Sequence, residues 1–160
     1  MSRRFVRLRH QKPTDALANG HFPPAAQSAS IPPVMSIRVG TDLVSVAEVR
    51  ESVAEHAGRY LQRIYTDREI EDCSTAAGVQ SEGLAARFAA KEATIKVLRP
   101  ADQPVPWRSI EVRRDPAGWV ELALSGSAAA LASDAGMTEL ALSIAHEAGF
   151  ATAVVVASCA

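Results

Sequence analysis

Two cysteines in 160 residues, Cys73 and Cys159, are too few and too widely separated to build a disulfide framework or a zinc site, and both are expected to be reduced. No run of about 18 apolar residues exists that could cross a bilayer or serve as a secretory core. That pattern predicts a cytoplasmic protein without a membrane partner. Aromatic residues make up only 5% of the chain, which leaves few platforms for stacked bases and argues against a nucleic-acid partner. Charge of one sign is also scarce, with a formal net charge of −1.

That charge is unevenly placed. Residues 1–34 hold five basic residues (Arg3, Arg4, Arg7, Arg9, Lys12), one acid (Asp15) and the pairs Pro23-Pro24 and Pro32-Pro33. Low apolar content with repeated proline predicts an extended, disordered arm. Such a leader suits nucleic acid, a membrane surface or an organellar presequence. The plainer alternative is that Met35 is the natural start and the arm an upstream extension. The remaining 126 residues carry net −5 and suffice for one ordinary domain, expected over 35–160.

The chain is organised around residues 84–96. Ala, Leu, Arg, Lys and Glu all enter a helix at little cost, and Ser81-Glu82 supplies a start with negative charge near the N-terminus. Arg99-Pro100 marks the end. At roughly 100° per residue, Leu84, Phe88 and Ile95 form one stripe, and Ala86, Ala90, Ala93 and Val97 a second on the opposite side, so the helix is expected to be mostly buried. Glu92 and Lys96 lie one turn apart beside Phe88. Alone they read as an ordinary i,i+4 ion pair. Two further polar islands in apolar surroundings, Gly40-Thr41-Asp42 and Ser143-Ile144-Ala145-His146, suggest instead that the three form one site.

Upstream, 37–44 reads as a buried strand interrupted by Gly40 and carrying a lone acid. Asp42 either is paired or metal-bound, or caps the helix that begins near Ser45. Residues 46–64 are helical, with Gly58 expected to separate two pieces and Arg59 and Arg63 forming a basic ridge. Thr66-Asp67-Arg68-Glu69 has capping-box spacing, and 74–83 reads as a loop. Alternation over 110–113 and 119–124 around Asp115-Pro116-Ala117-Gly118 predicts a hairpin. An Ala-rich helix over 125–135 follows, then strands 138–146 and 150–157. His146 sits at the last hairpin's tip, as a structural residue or as a working group. The order β-α-α-α-β-β-α-β-β indicates an α+β domain, a largely antiparallel sheet covered by helices.

Together these residues resemble the holo-acyl-carrier-protein synthases, short single-domain 4′-phosphopantetheinyl transferases. The resemblance covers about residues 37–157. It rests on Gly40-Thr41-Asp42-Leu43-Val44, on Arg87-Phe88-Ala89-Ala90-Lys91-Glu92-Ala93-Thr94-Ile95-Lys96, on Trp107 to Val112, on Gly118 and on Ser143 to Glu147. It implies the 4′-phosphopantetheinyl transferase fold and transfer of the phosphopantetheine arm from coenzyme A to a carrier-protein serine, releasing adenosine 3′,5′-bisphosphate. It further implies Mg²⁺ held by Asp42 and Glu92, Lys96 on the phosphates, and Arg87 and His146 in coenzyme A binding. Lys91 is either a phosphate contact or part of the motif's ion pairing. On the same resemblance the serine proton is expected to go to a metal-bound water or to Glu92, and the assembly to be a homotrimer with coenzyme sites between subunits. The chain departs from the family pattern at Glu48, Ala145 and Glu147, leaving Arg50, Arg59 and Arg63 as candidate contacts for an acidic acyl or peptidyl carrier. The alternative is a catalytically idle relative that binds carrier or coenzyme A.

Overall fold

In the computed structural model, residues 35–160 are described; the expected arm over 1–34 lies outside them. The first strand, β1 (Ser36–Ser45), runs into helix α1 (Val46–Ile64), and Ser45 caps that helix by accepting the Glu48 amide at 3.4 Å. The cap is thus Ser45, which leaves the Asp42 carboxylate free of that duty. Contrary to expectation, α1 is continuous through Gly58: the glycine keeps helical geometry, and Val49, Leu61 and Ile64 pack against the core on both sides of it. A lone glycine inside a helix costs only about 1 kcal/mol.

Helix α2 (Asp67–Asp72) opens with the capping box read from the sequence, Thr66 and Glu69 each satisfying the other's backbone amide. The expected loop over 74–83 contains a two-residue-per-strand hairpin, β2 (Ser74–Thr75) and β3 (Gly78–Val79), before α3 (Ser81–Leu98). Helix α3 ends at Arg99, whose φ of 53° turns the chain out in the left-handed region. A 3₁₀ turn, Trp107–Ser109, leads into the hairpin β4 (Ile110–Arg114) and β5 (Val120–Leu124), followed by α4 (Gly126–Asp134), β6 (Met137–Glu147) and β7 (Phe150–Cys159). Ala148 and Gly149, both at positive φ, make the tight β6–β7 turn.

The sheet is antiparallel in the order β1-β7-β6, and β4-β5 and β2-β3 stand as separate two-stranded pairs. Helix α3 packs on one sheet face, where Ala151, Ala153, Val155 and Ala157 of β7 are buried, and α1 and α2 cover its other side. Two-sided burial is why α3 carries apolar or small residues nearly all round. The small β7 alanines let the helix backbone come close to the sheet. No helix of the described residues is long and apolar enough to cross a membrane, and both cysteines are free and buried.

Candidate active site

Asp42 lies near the end of β1, facing α3 in register with Ala153. Gly40, two residues earlier, lets strand and helix backbones nearly touch. The strand is further tied at this point by Thr152, whose hydroxyl donates to the Asp42 carbonyl at 2.9 Å. Asp42 is therefore presented from rigid backbone. From α3, Lys96 reaches it with Nζ 2.7 Å from Asp42 Oδ1, and the same ammonium donates to the Thr41 carbonyl at 2.7 Å. The pair is at the surface, the Lys96 side chain being 50% exposed and Asp42 19%.

Glu92, one turn before Lys96, is partly buried, and its carboxyl is held above the ordinary value by burial first and by the neighbouring Asp42 charge second, with Lys96 opposing both. Asp42 and Lys96 are thus joined by an ion pair where β1 crosses α3, and Glu92 stands one turn before Lys96, near enough for the Asp42 charge to bear on its carboxyl. Two negative charges face one positive one.

Arg87 is placed differently. It is buried beside α2, donating to Asp72 Oδ2 at 3.3 Å and to the Gly83 carbonyl at 3.3 Å, and its Nε has no partner among the described residues. His146 lies at the open end of β6, paired with Ala151, and lines a cavity of about 340 Å³ with Arg114, Gly118, Trp119 and Ile144. No hydrogen bond or ion pair among the described residues joins Arg87 or His146 to the Asp42 cluster. Lys91 settles as a structural cation. It is fully buried, paired with Glu69 at 2.8 Å and bonded to the carbonyls of Trp107 and Ile110, so it cannot meet a phosphate from this position. Arg114 and Trp119 were not singled out by the sequence reading. The signal available was an exposed tryptophan at a hairpin turn, Trp119 being 77% exposed.

Two carboxylates and a flexible ammonium, all hard donors or charges, are set here in an α+β fold. The family is narrower than that fold class. Residues 38–155 match the model of the 4′-phosphopantetheinyl transferase superfamily, and the chain belongs to that family. A holo-[acyl-carrier-protein] synthase of Desulforudis audaxviator is 40% identical over 123 residues, covering 77% of this chain and 93% of the relative. Among solved structures, the Chronobacterium ammoniagenes ACPS–CoA complex is similar with a TM-score of 0.66 at 36% identity, covering 76% of this chain and 96% of that one. The Helicobacter pylori holo-[acyl-carrier-protein] synthase in complex with coenzyme A is similar with a TM-score of 0.65 at 30% identity, covering 75% and 99%.

Proposed function

We propose that this protein transfers the 4′-phosphopantetheine arm of coenzyme A to a serine of an apo carrier protein. The observation that carries the reading is the Asp42–Lys96 ion pair where β1 crosses α3, with Glu92 one helical turn before the lysine, in a chain whose relatives are holo-[acyl-carrier-protein] synthases, two of them solved with coenzyme A. The serine oxygen forms a bond to the pantetheine-side phosphorus, the bond from that phosphorus to the bridging oxygen breaks, and adenosine 3′,5′-bisphosphate leaves. The serine proton goes to Glu92 or to water.

The donor set fits Mg²⁺. Two carboxylates against one ammonium leave an unbalanced negative charge, and Mg²⁺ habitually takes one or two carboxylates with substrate phosphate and water completing the shell. Asp42 and Glu92 would hold the ion, which when bound neutralises charge on the diphosphate. Lys96 then orients the phosphates as a point charge, and Arg87, with its unpartnered Nε, and His146 bind the coenzyme's anionic end.

A coenzyme site completed by a neighbouring subunit would bring further groups to Arg87 and His146, neither of which bonds to the Asp42–Lys96 pair. The face of the sheet opposite α3 supports the homotrimer in turn. Ile37, Val39 and Leu43 of β1 and Phe150 and Val154 of β7 all point out of that face and are exposed, Ile37 by 70%. An apolar strand face of this extent is usually covered. Arg59 and Arg63, exposed on α1 and lining a cavity of about 380 Å³ with His56 and Tyr60, suit an acidic carrier. Two free buried cysteines accord with a cytoplasmic location.

The test is to incubate the protein with coenzyme A, Mg²⁺ and several apo carrier proteins and to look by mass spectrometry for the added arm. Coenzyme A binding with no product on any carrier would replace this reading by that of an idle relative.

A further inference from the structure

Helix α3 carries two lysines that face opposite fates. Lys91 is locked, fully buried between Glu69 and two backbone carbonyls. Among the described residues Lys96 is held by Asp42 Oδ1 and the Thr41 carbonyl, with half of its side chain in solvent. An ion pair this exposed is weak, because water and salt screen it. Of the two partners, the ammonium is the one free to move. Asp42 sits on a strand paired along its length with β7, with its carbonyl bonded to Thr152, whereas Lys96 ends a four-carbon stem near the last turn of α3.

We propose, building on the metal reading above, that Lys96 is the built-in counter-ion of Asp42 and competes with the divalent cation for it. The oxygen facing Nζ at 2.7 Å offers the same lone pairs that a hard cation requires. The ammonium must therefore leave Asp42 when the ion takes it. Once displaced, Lys96 remains within one side-chain length of the site, where the nearest unsatisfied negative charge is the diphosphate of an arriving coenzyme. Metal loading and delivery of the lysine to the substrate become a single rearrangement, and the order of binding follows: ion first, coenzyme second.

The experiment is calorimetric titration of Mg²⁺ into the full chain without coenzyme A, for the native protein and for Lys96→Met, Lys96→Gln and Asp42→Asn. Both Lys96 variants are expected to bind Mg²⁺ about tenfold more tightly than the native protein, the order expected on removing a unit charge about 4 Å from a solvent-facing site. The Mg²⁺-induced rise in Tm should be larger in both. With Mg²⁺ saturating, coenzyme A should bind the native protein more tightly than either variant. Unchanged or weaker Mg²⁺ binding in both Lys96 variants, with Asp42→Asn abolishing it, would overturn the competition while sparing the metal site. Equal coenzyme A affinity would overturn the delivery step. Native Mg²⁺ affinity in Asp42→Asn would remove the metal reading itself.

Discussion

Gly40 and Ala93 are so close that a Cβ on the glycine would lie 2.1 Å from the Ala93 carbonyl oxygen and 2.9 Å from a methyl of Val97. The obstacle is helix backbone, which cannot step aside as a side chain can. This contact sets the distance between the strand that carries Asp42 and the helix that carries Glu92 and Lys96. Gly40→Ala is expected to force β1 off α3, lowering stability by about 1–3 kcal/mol in urea unfolding. Transfer activity and Mg²⁺ affinity should fall with it. A variant of native stability and full activity would show that the two backbones have slack that the structure does not display.

The locked lysine makes a separate prediction about the fold. Glu69 is fully buried and both its oxygens are engaged, one on the Val112 amide and the other on the Thr66 amide and Lys91. Burial disfavours the charged form of Lys91, and Glu69 is the chief influence that restores it. Lys91→Met would strand a buried carboxylate, with an expected loss of about 3–5 kcal/mol in denaturant unfolding. Adding Glu69→Gln should recover part of that loss, since the amide oxygen can still accept a backbone bond. If the double variant is as unstable as the sum of its singles, the two residues are not coupled and the ion pair is not what holds α2 and β4 to α3.

How much of this arrangement could be read from the chain differs by residue. The Asp42–Lys96 pair was legible because charged groups inside apolar periodic segments are costly and therefore conspicuous. The alternative role of Asp42 as a helix cap could not be dismissed from spacing, and only the Ser45–Glu48 bond does so. The Glu69–Lys91 pair was hidden because Glu69 already had a local explanation in its capping box and its partner lies 22 residues away. One clue was present: Lys91 stands seven residues from both Leu84 and Leu98, on the same buried stripe. Gly58 misled through propensity, which packing on either side of it overrides. The β2–β3 hairpin, two residues per strand, is too short to show any period. Where β4-β5 stands relative to the three-stranded sheet was beyond pattern alone, since alternation specifies a half-buried strand without naming its neighbour.

Acid stability should depend in part on Glu111. Its carboxyl is held below the ordinary value, first by the hydrogen bond from Arg113 Nε, which lies 2.6 Å from Oε1. A carboxylate whose folded value is depressed adds stability that is complete above its unfolded value and is lost as pH falls through the folded one. Glu111→Gln should therefore lower Tm slightly at pH 7, and the gap to the native protein should close as the pH is lowered below the ordinary carboxylate range. A gap that stays constant across the titration would mean that the substitution acts through packing rather than charge.

The carboxylates of the proposed site should be dispensable for folding and indispensable for turnover. Asp42→Asn and Glu92→Gln preserve shape while removing a negative charge that a divalent ion would need. Each is expected to leave the circular-dichroism spectrum unchanged and to lower kcat by about 100-fold or more, the scale seen when electrostatic stabilisation of a transition state is removed. Neither should show the Mg²⁺-induced rise in Tm expected of the native protein. Substantial activity in both would mean that the transfer reaction runs without this pair.

Arg59 and Arg63 stand one turn apart on the exposed side of α1. If they meet an acidic carrier, their influence is on encounter and orientation, and it should be screened by salt. Reversing both, Arg59→Glu with Arg63→Glu, is expected to raise KM for the carrier about tenfold or more at low ionic strength, since repulsion replaces attraction on a surface that steers association. KM for coenzyme A should be unaffected, and the difference between native and variant proteins should shrink as salt is raised. An equal rise in KM for both substrates would indicate general damage. An unchanged carrier KM would place the docking surface elsewhere on the molecule.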